Sequence, residues 1–378
     1  MTLLEKSIFT ANGGTTNLTH SFHPYPAKFP PQIPHNLLKQ FSQAGDTVLD
    51  PFCGSGTTLV EARLAGINAA GVDVNPLSCL LAKVKATPLN YSQLAQVESF
   101  LSEIEAELFY RRMGKGFKIV EVPFIEGLAH WFQENVAQEL AYLKQKIWTI
   151  ADEETRDFLK IIFSSIIVRV SNQESDTRFA AINKQIPDGY TLKSFSEKAK
   201  DFLKGMRAFS SVADKSSLAR TYNHDARDLS FLDSDSFDLV ITSPPYANTY
   251  DYYLYHKFRK RWLELDVGFA QYNEIGSRRE FSSLKRSPEK WTEDLKSCLS
   301  EISRVLKKGK YAFIVIGDSV INKNLIRADN LVSQVAKEAN FDVVDCLSSD
   351  LQNHSRLFNP KFAQKGKKEH LIWLCKKY

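Results

Sequence analysis

Residues 46–76 switch from strand to loop to helix and back to strand, and that succession limits the chain to a small set of folds. Asp46-Thr-Val-Leu-Asp50 is a short apolar run of strand type, and Pro51-Phe-Cys-Gly-Ser-Gly-Thr-Thr58 is a tight glycine loop. Leu59–Ala65 reads as a helix closed by Gly66, Ala69-Ala-Gly-Val-Asp73 as the next strand, and Asn75-Pro76 as the opening of another helix. Two strands joined through a helix make a βαβ unit, and parallel pairing follows because parallel neighbours need such a crossover.

A second α/β stretch begins near residue 219. Its expected elements are strands at 220–224, 237–242 and 310–317, helices at 291–306 and 327–339, and a final strand pair at 341–347 and 370–376. With the first unit this makes about seven strands. Between the two parts, residues 90–217 differ in character. Leu128, Trp131, Phe132, Val136, Leu140, Leu143 and Ile147 recur at helical spacing, with 169–191 as a polar, irregular stretch. The expected architecture is α/β: a Rossmann-like, mostly parallel seven-stranded sheet with helices on both faces. Residues 1–89 and 218–378 are expected to form one α/β domain, and 90–217 a helical insertion in which Ser171–Arg178 is a candidate target-reading segment.

Composition narrows the function classes. In a chain of 378 residues, 43% hydrophobic and 25% charged residues describe a soluble globular protein. The longest apolar run, 158–168, is broken by Lys160 and two serines and is too short to span a bilayer. The first residues lack the basic and apolar regions of a secretion signal, so a cytoplasmic location is expected. Five scattered cysteines without a Cys-x-x-Cys pair argue against a disulfide framework or a zinc site. His20 and His23 have no second ligand pair, and no metal is expected. The net charge of +5 lies wholly in residues 218–378. Its first cluster, Lys257-Phe-Arg-Lys-Arg261, is either solvated surface or a contact to a phosphate backbone.

Chemistry concentrates at strand ends. The run Phe237–Thr242 stops at Ser243-Pro244-Pro245-Tyr246, where two prolines cannot continue a central strand. The result is a rigid corner with free carbonyls, a hydroxyl and an aromatic ring. Alone it could be an ordinary stiffened turn. At the C-terminal edge of an α/β sheet, where ligands bind, it suits a planar base bearing an amine. In the glycine loop, Gly54 and Gly56 permit close backbone approach. The spacing fits neither a dinucleotide nor a P-loop fingerprint, and Asp50 would repel phosphate while suiting an ammonium and a sulfonium. Asp73 ends the second strand and either accepts bonds from ribose hydroxyls or caps the following helix. Asp225, ending the third strand, is placed for an adenine edge.

Three segments together resemble the S-adenosylmethionine-dependent amino-methyltransferases of DNA found in bacterial restriction–modification systems. They are His23-Pro-Tyr-Pro-Ala-Lys-Phe-Pro30, Asp50-Pro-Phe-Cys-Gly-Ser-Gly56 and Ser243-Pro-Pro-Tyr246. The resemblance covers about 1–89 and 218–378. It implies cofactor contacts at His23, Lys28 and Phe29, and along the loop at Asp50, Pro51, Phe52, Cys53, Gly54, Ser55, Gly56 and Thr57. Further contacts are implied at Asp73, Val74 and Asn75, and at Asp225 and Ala226. It implies catalysis by Ser243, Pro244, Pro245 and Tyr246. The serine form of the tetrapeptide is commoner among cytosine-N4 enzymes, with adenine-N6 as the nearest alternative and a tRNA guanosine-N2 methyltransferase behind both. Duplex DNA is the implied partner, with a cognate restriction endonuclease beside it. One departure stands out: in the group with the most similar loop, the tetrapeptide usually precedes the loop, whereas here it follows by nearly 190 residues. That order leaves target recognition to 90–215, to 247–290, or to both. A cytosine amine is a weak nucleophile, so hydrogen-bond acceptors at Ser243 Oγ and the Pro244 carbonyl would draw it towards sp³ geometry. A paired base must also leave the duplex, with Tyr246 as its stacking face.

Overall fold

The chain's continuous apolar runs become the interior strands of one seven-stranded sheet. Its strands are β1 (Thr47–Asp50), β2 (Asn68–Asp73), β3 (Ala219–Asn223), β4 (Phe237–Thr242), β5 (Leu306–Gly317), β6 (Phe341–Asp350) and β7 (Lys368–Lys376). They lie in the order β6-β7-β5-β4-β1-β2-β3. All six residues of β4 are buried, as a strand covered on both faces requires. Pairing is parallel from β3 through β5, and β7 runs antiparallel to both of its neighbours. The computed structural model describes residues 18–28, 30–113, 119–282, 284, 287–321, 324–350 and 366–378.

Helices cover both faces. Pro288–Val305 and Ala328–Glu338 pack with Ala226 and Leu229 on one side. On the other, Thr57–Ala65 and Pro76–Ala86 share a continuous core with Tyr91–Arg112, Glu134–Trp148, Glu153–Val170 and Tyr190–Val212. The helices of 90–217 are therefore packed into the sheet's own core. The stretch 169–191 is more ordered than its polar composition suggests. It holds an antiparallel ribbon, Gln173–Ser175 with Arg178–Ala181. Buried Glu139 accepts from the backbone N–H groups of Gly189, Thr191 and Leu192, satisfying the start of the helix Tyr190–Val212 from 50 residues away.

Strand β5 begins at Leu306, four residues earlier than the apolar pattern shows, because Lys307 and Lys310 turn outward to Asp238 of β4. Among the described residues, no helix is long and apolar enough to cross a membrane.

Candidate active site

The strand order reverses between β1 and β4, the point at which an open α/β sheet leaves a crevice beyond its strand ends. A cleft of about 870 Å³, its open mouth included, lies there. The glycine loop lines it with Pro51, Phe52, Cys53, Gly54, Ser55 and Thr57. The end of β2 contributes Asp73, Val74 and Asn75, and the turn after β3 contributes Asp225 and Ala226. Ser243 and Pro245 open into the same cleft, and so does Lys28, whose Nζ donates to the His20 carbonyl at 3.1 Å.

The loop is held from several sides. Gly54 N and Asn75 N donate to the two oxygens of Asp73 at 2.9 and 2.8 Å. Asn75, rather than Asp73, caps the helix Pro76–Ala86 through its side chain. Burial pushes the Asp73 carboxyl up to about 6, against the pull of those two donors. Gly56 stands behind the lining. Its φ is +83°, and a Cβ there would lie 2.6 Å from the Ala82 Cα, so only glycine lets the loop rest on that helix. Lys85, buried beneath, donates to the Ser55 carbonyl at 2.7 Å.

Besides Gly56, four described residues expected at the ligand lie outside the lining. Asp50 is 1% exposed and sits behind the loop. Its Oδ1 accepts from Thr242 Oγ1 at 2.6 Å and from Phe52 N at 3.2 Å, tying the ends of β1 and β4 together. Burial raises its carboxyl to about 6. His23, 2% exposed, hydrogen-bonds to Ser164 Oγ at 3.0 Å and to the Pro24 carbonyl, because the insertion covers it. Pro244 is buried. The Tyr246 ring lies over Gly317, whose missing Cβ would stand 2.7 Å from Cε2, and its hydroxyl donates to Glu369 Oε1 at 2.6 Å. Phe29 falls outside the described residues.

Other lining residues were not among those expected at the ligand, although Tyr25 lies within the first of the three resembling segments. Tyr25 lies against Gly54 and bonds Ser78 Oγ at 2.8 Å. From the segment after the tetrapeptide come Tyr252, Tyr253, Ala270, Asn273, Glu274 and Ile275. The clustered tyrosines were the one signal available for this wall. Tyr252 and Tyr253 face the cleft, whereas Tyr255 is buried. The basic run 257–261 is not a free phosphate-binding surface. Arg259 is wholly buried and pairs with Asp176, Lys260 is wholly buried, and Arg261 pairs with Glu126.

The cleft's chemistry fits a cationic nucleoside cofactor. Its walls are apolar at Phe52, Val74, Ala226 and Ile275, which suits a flat base. Its ionisable groups are mostly acidic: Asp73, Asp225 and Glu274 face it, against Lys28. Arg227 takes the Asp225 carboxylate bidentately at 2.6–3.1 Å, which orients Asp225 on its turn. Outside the cleft, Asp329, Cys346 and His370 bring ligand atoms within 4.8 Å of one another. Both His370 nitrogens are already hydrogen-bonded, to Ser348 Oγ and to Asp318 Oδ1.

Comparison with known proteins is consistent with this geometry. A family model described as DNA methylase (N6_N4_Mtase) matches residues 5–84 and 237–378, more than half of the chain. The Type II methyltransferase M.MvaI of Kocuria varians is 25% identical over 379 residues, covering 87% of this chain and 83% of its own. The Type II methyltransferase M.MjaII of Methanocaldococcus jannaschii is 23% identical, covering 82% and 74% respectively. A short stretch of 52 residues is 38% identical to a tRNA (guanine(10)-N2)-dimethyltransferase of Methanothermobacter thermautotrophicus, 14% of this chain and 16% of that one.

Proposed function

Because the chain belongs to the N6_N4_Mtase family of DNA methylases, S-adenosylmethionine-dependent enzymes of Type II restriction–modification systems, we propose that it methylates the N4 amine of cytosine in duplex DNA. The observation that carries this reading is the shared cleft: Ser243 and Pro245 open into the same space as Gly54, Asp73 and Asp225. A cofactor cradle and an amine-binding corner in one cavity suit direct transfer between two held reactants.

The cofactor would be held by the Gly54 loop, with Asp73 at its ribose and Val74, Ala226 and Pro245 against its base. When bound, it supplies a methyl group on a cationic sulfur. The chain's own residues do the rest. Ser243 Oγ and the Pro244 carbonyl accept hydrogen bonds from the amine, drawing its lone pair out of conjugation. Asp50, through Thr242, fixes the strand end from which Ser243 projects. The Tyr246 ring, seated on Gly317, offers its other face to a base turned out of the helix. The apolar walls exclude water from the amine.

Target recognition is assigned to two segments, the ribbon of 173–181 in the helical insertion and the stretch 247–282 that walls the cleft. A cognate restriction endonuclease reading the same site completes the proposal. The test is transfer of labelled methyl from S-adenosylmethionine to duplex DNA and to tRNA, followed by mass spectrometry of the nucleosides. N4-methylcytosine is expected. N6-methyladenine in DNA would overturn the base assignment, and labelled tRNA with unlabelled DNA would overturn the substrate class.

A further inference from the structure

Residues 252–275 close the cleft opposite the glycine loop. Tyr252 stacks on Tyr25 with ring centroids 5.7 Å apart and 25° between the planes, and Tyr25 stacks in turn on His256 at 5.2 Å. Glu274, which ends the helix Gly268–Asn273, holds this cover in place. Its Oε1 accepts from Tyr252 N at 2.6 Å, and its Oε2 has only a long contact of 3.4 Å from Tyr253 N. The cleft's three carboxyls are compensated differently. Asp225 has a bidentate arginine, and Asp73 has one good backbone donor on each oxygen. Glu274 takes part in no ion pair among the described residues. The cation that acts on it is Lys260, wholly buried, whose Nζ has no hydrogen-bond partner among the described residues.

We propose that Glu274 supplies the counter-charge for the cofactor's cationic sulfur, and so distinguishes the methyl donor from its demethylated product. This rests on reading the cleft as the cofactor's site and does not depend on which base is methylated. Charges in a water-poor cleft attract more strongly than charges in water. A buried carboxyl without an ion-pair partner favours its neutral form. Burial accordingly pushes Glu274 up to about 8, aided by Asp251, while the Tyr252 and Tyr253 donors and Lys260 pull the other way. Asp73, at the end of β2, and Tyr252 also line the cleft. At neutral pH the proton sits on Glu274, with Oε2 the oxygen free to carry it.

A bound sulfonium supplies the missing positive charge, so the carboxyl ionises and its proton passes to solvent. After methyl transfer the sulfur is neutral, and the carboxylate takes a proton back. The methylated amine gives up one proton in the same turnover. The cycle therefore releases one proton net, as conversion of a sulfonium to a thioether with N-methylation requires. The product leaves a site that has lost its attraction for it.

Calorimetry of wild-type protein at pH 7, in two buffers of different ionisation heat, counts the protons. Net proton release, of at most one, should accompany binding of S-adenosylmethionine, with almost none on binding S-adenosylhomocysteine. Affinity for the methyl donor should rise by up to about tenfold per pH unit towards 8 and then level off. Glu274→Gln, which keeps an acceptor for Tyr252 N, should flatten that profile and lower the donor-to-product affinity ratio at least tenfold, with product affinity unchanged. Equal proton release for the two ligands in the wild-type protein would overturn the proposal, and this measurement needs no variant. An undiminished donor preference in the Gln variant would also overturn it. Failure of the wild-type protein to bind either ligand would instead refute the cofactor reading.

Discussion

Replacing Gly317 with alanine isolates the seat of Tyr246. Gly317 is the last residue of β5 and pairs across the sheet with Glu369, the acceptor of the Tyr246 hydroxyl. The added Cβ would stand 2.7 Å from Tyr246 Cε2 and 3.0 Å from Cδ2. Ordinary carbon contacts begin near 3.4 Å, so the ring must retreat by about 0.7 Å or tilt. The opposing strand cannot yield instead, because Gly317 is held in the ladder between β5 and β7. A retreating ring pulls its hydroxyl away from Glu369, and the 2.6 Å bond is lost or lengthened. Alanine itself is not strained there, because the φ of Gly317 lies outside the left-handed region. A misplacement approaching 1 Å at a reacting group costs on the order of 10²-fold in rate. Overpacking at one position costs about 1–3 kcal/mol of stability. Gly317→Ala should therefore lower kcat for methyl transfer to duplex DNA about 10²-fold. Cofactor affinity by calorimetry should stay unchanged, because Gly317 does not line the cleft. The residue is not on the cofactor wall, so an unchanged kcat would refute the seat as a determinant of catalysis. A matched loss of cofactor affinity would show that the two halves of the cleft are not separable in this way.

Tyr246→Ala should abolish turnover while sparing cofactor binding, whereas Tyr246→Phe, which keeps the ring and loses only the bond to Glu369, should retain partial activity; the two kcat values from the same DNA assay check this. Asp73→Ala removes the acceptor for Gly54 N and Asn75 N and should raise the cofactor KM at least tenfold, about 1.4 kcal/mol of binding. An unchanged KM would leave Asp73 as a brace of the loop alone. Gly56→Ala forces a Cβ to 2.6 Å from the Ala82 Cα at a φ of +83° and should cost about 3 kcal/mol or more in urea unfolding, with loss of cofactor binding. Glu139→Ala leaves the buried backbone N–H groups of Gly189, Thr191 and Leu192 without their acceptor and should cost about 1–3 kcal/mol or more in the same measurement.

Much of the site is legible in the chain because its signals are local. The βαβ unit shows itself within 31 residues through strand and helix periods and punctuating glycines, and the structure places β1, the loop and β2 where those periods end. The lining residues from Pro51 to Asn75 follow, since a loop between adjacent parallel strands has little choice of where to sit. Ser243 and Pro245 share that logic, standing at the end of a strand that pairs with β1. The acidic residues at strand ends were equally visible. Their division of labour was not, because it depends on neighbours from other segments.

Hydrophobic periodicity and the rules of strand crossover determine the sheet, its parallel core and the edge at which ligands enter. Local motifs determine which side chains stand on that edge. Contacts between residues far apart decide the rest. Asp50 lies behind the loop because Thr242, 192 residues away, takes its carboxylate. Tyr246 turns to β7 because Glu369 is 123 residues away in sequence and within hydrogen-bonding reach in space. His23 leaves the cleft for Ser164, and of the basic run 257–261 Arg259 and Lys260 are folded inward, Arg259 against Asp176, while Arg261 pairs with Glu126 at the surface. Glu274 has no motif, and only the packing of 252–275 brings it to the cleft. A residue type and its place in a local pattern state what a side chain can do. Which partner satisfies it is set by burial and packing, which bring distant segments to one surface.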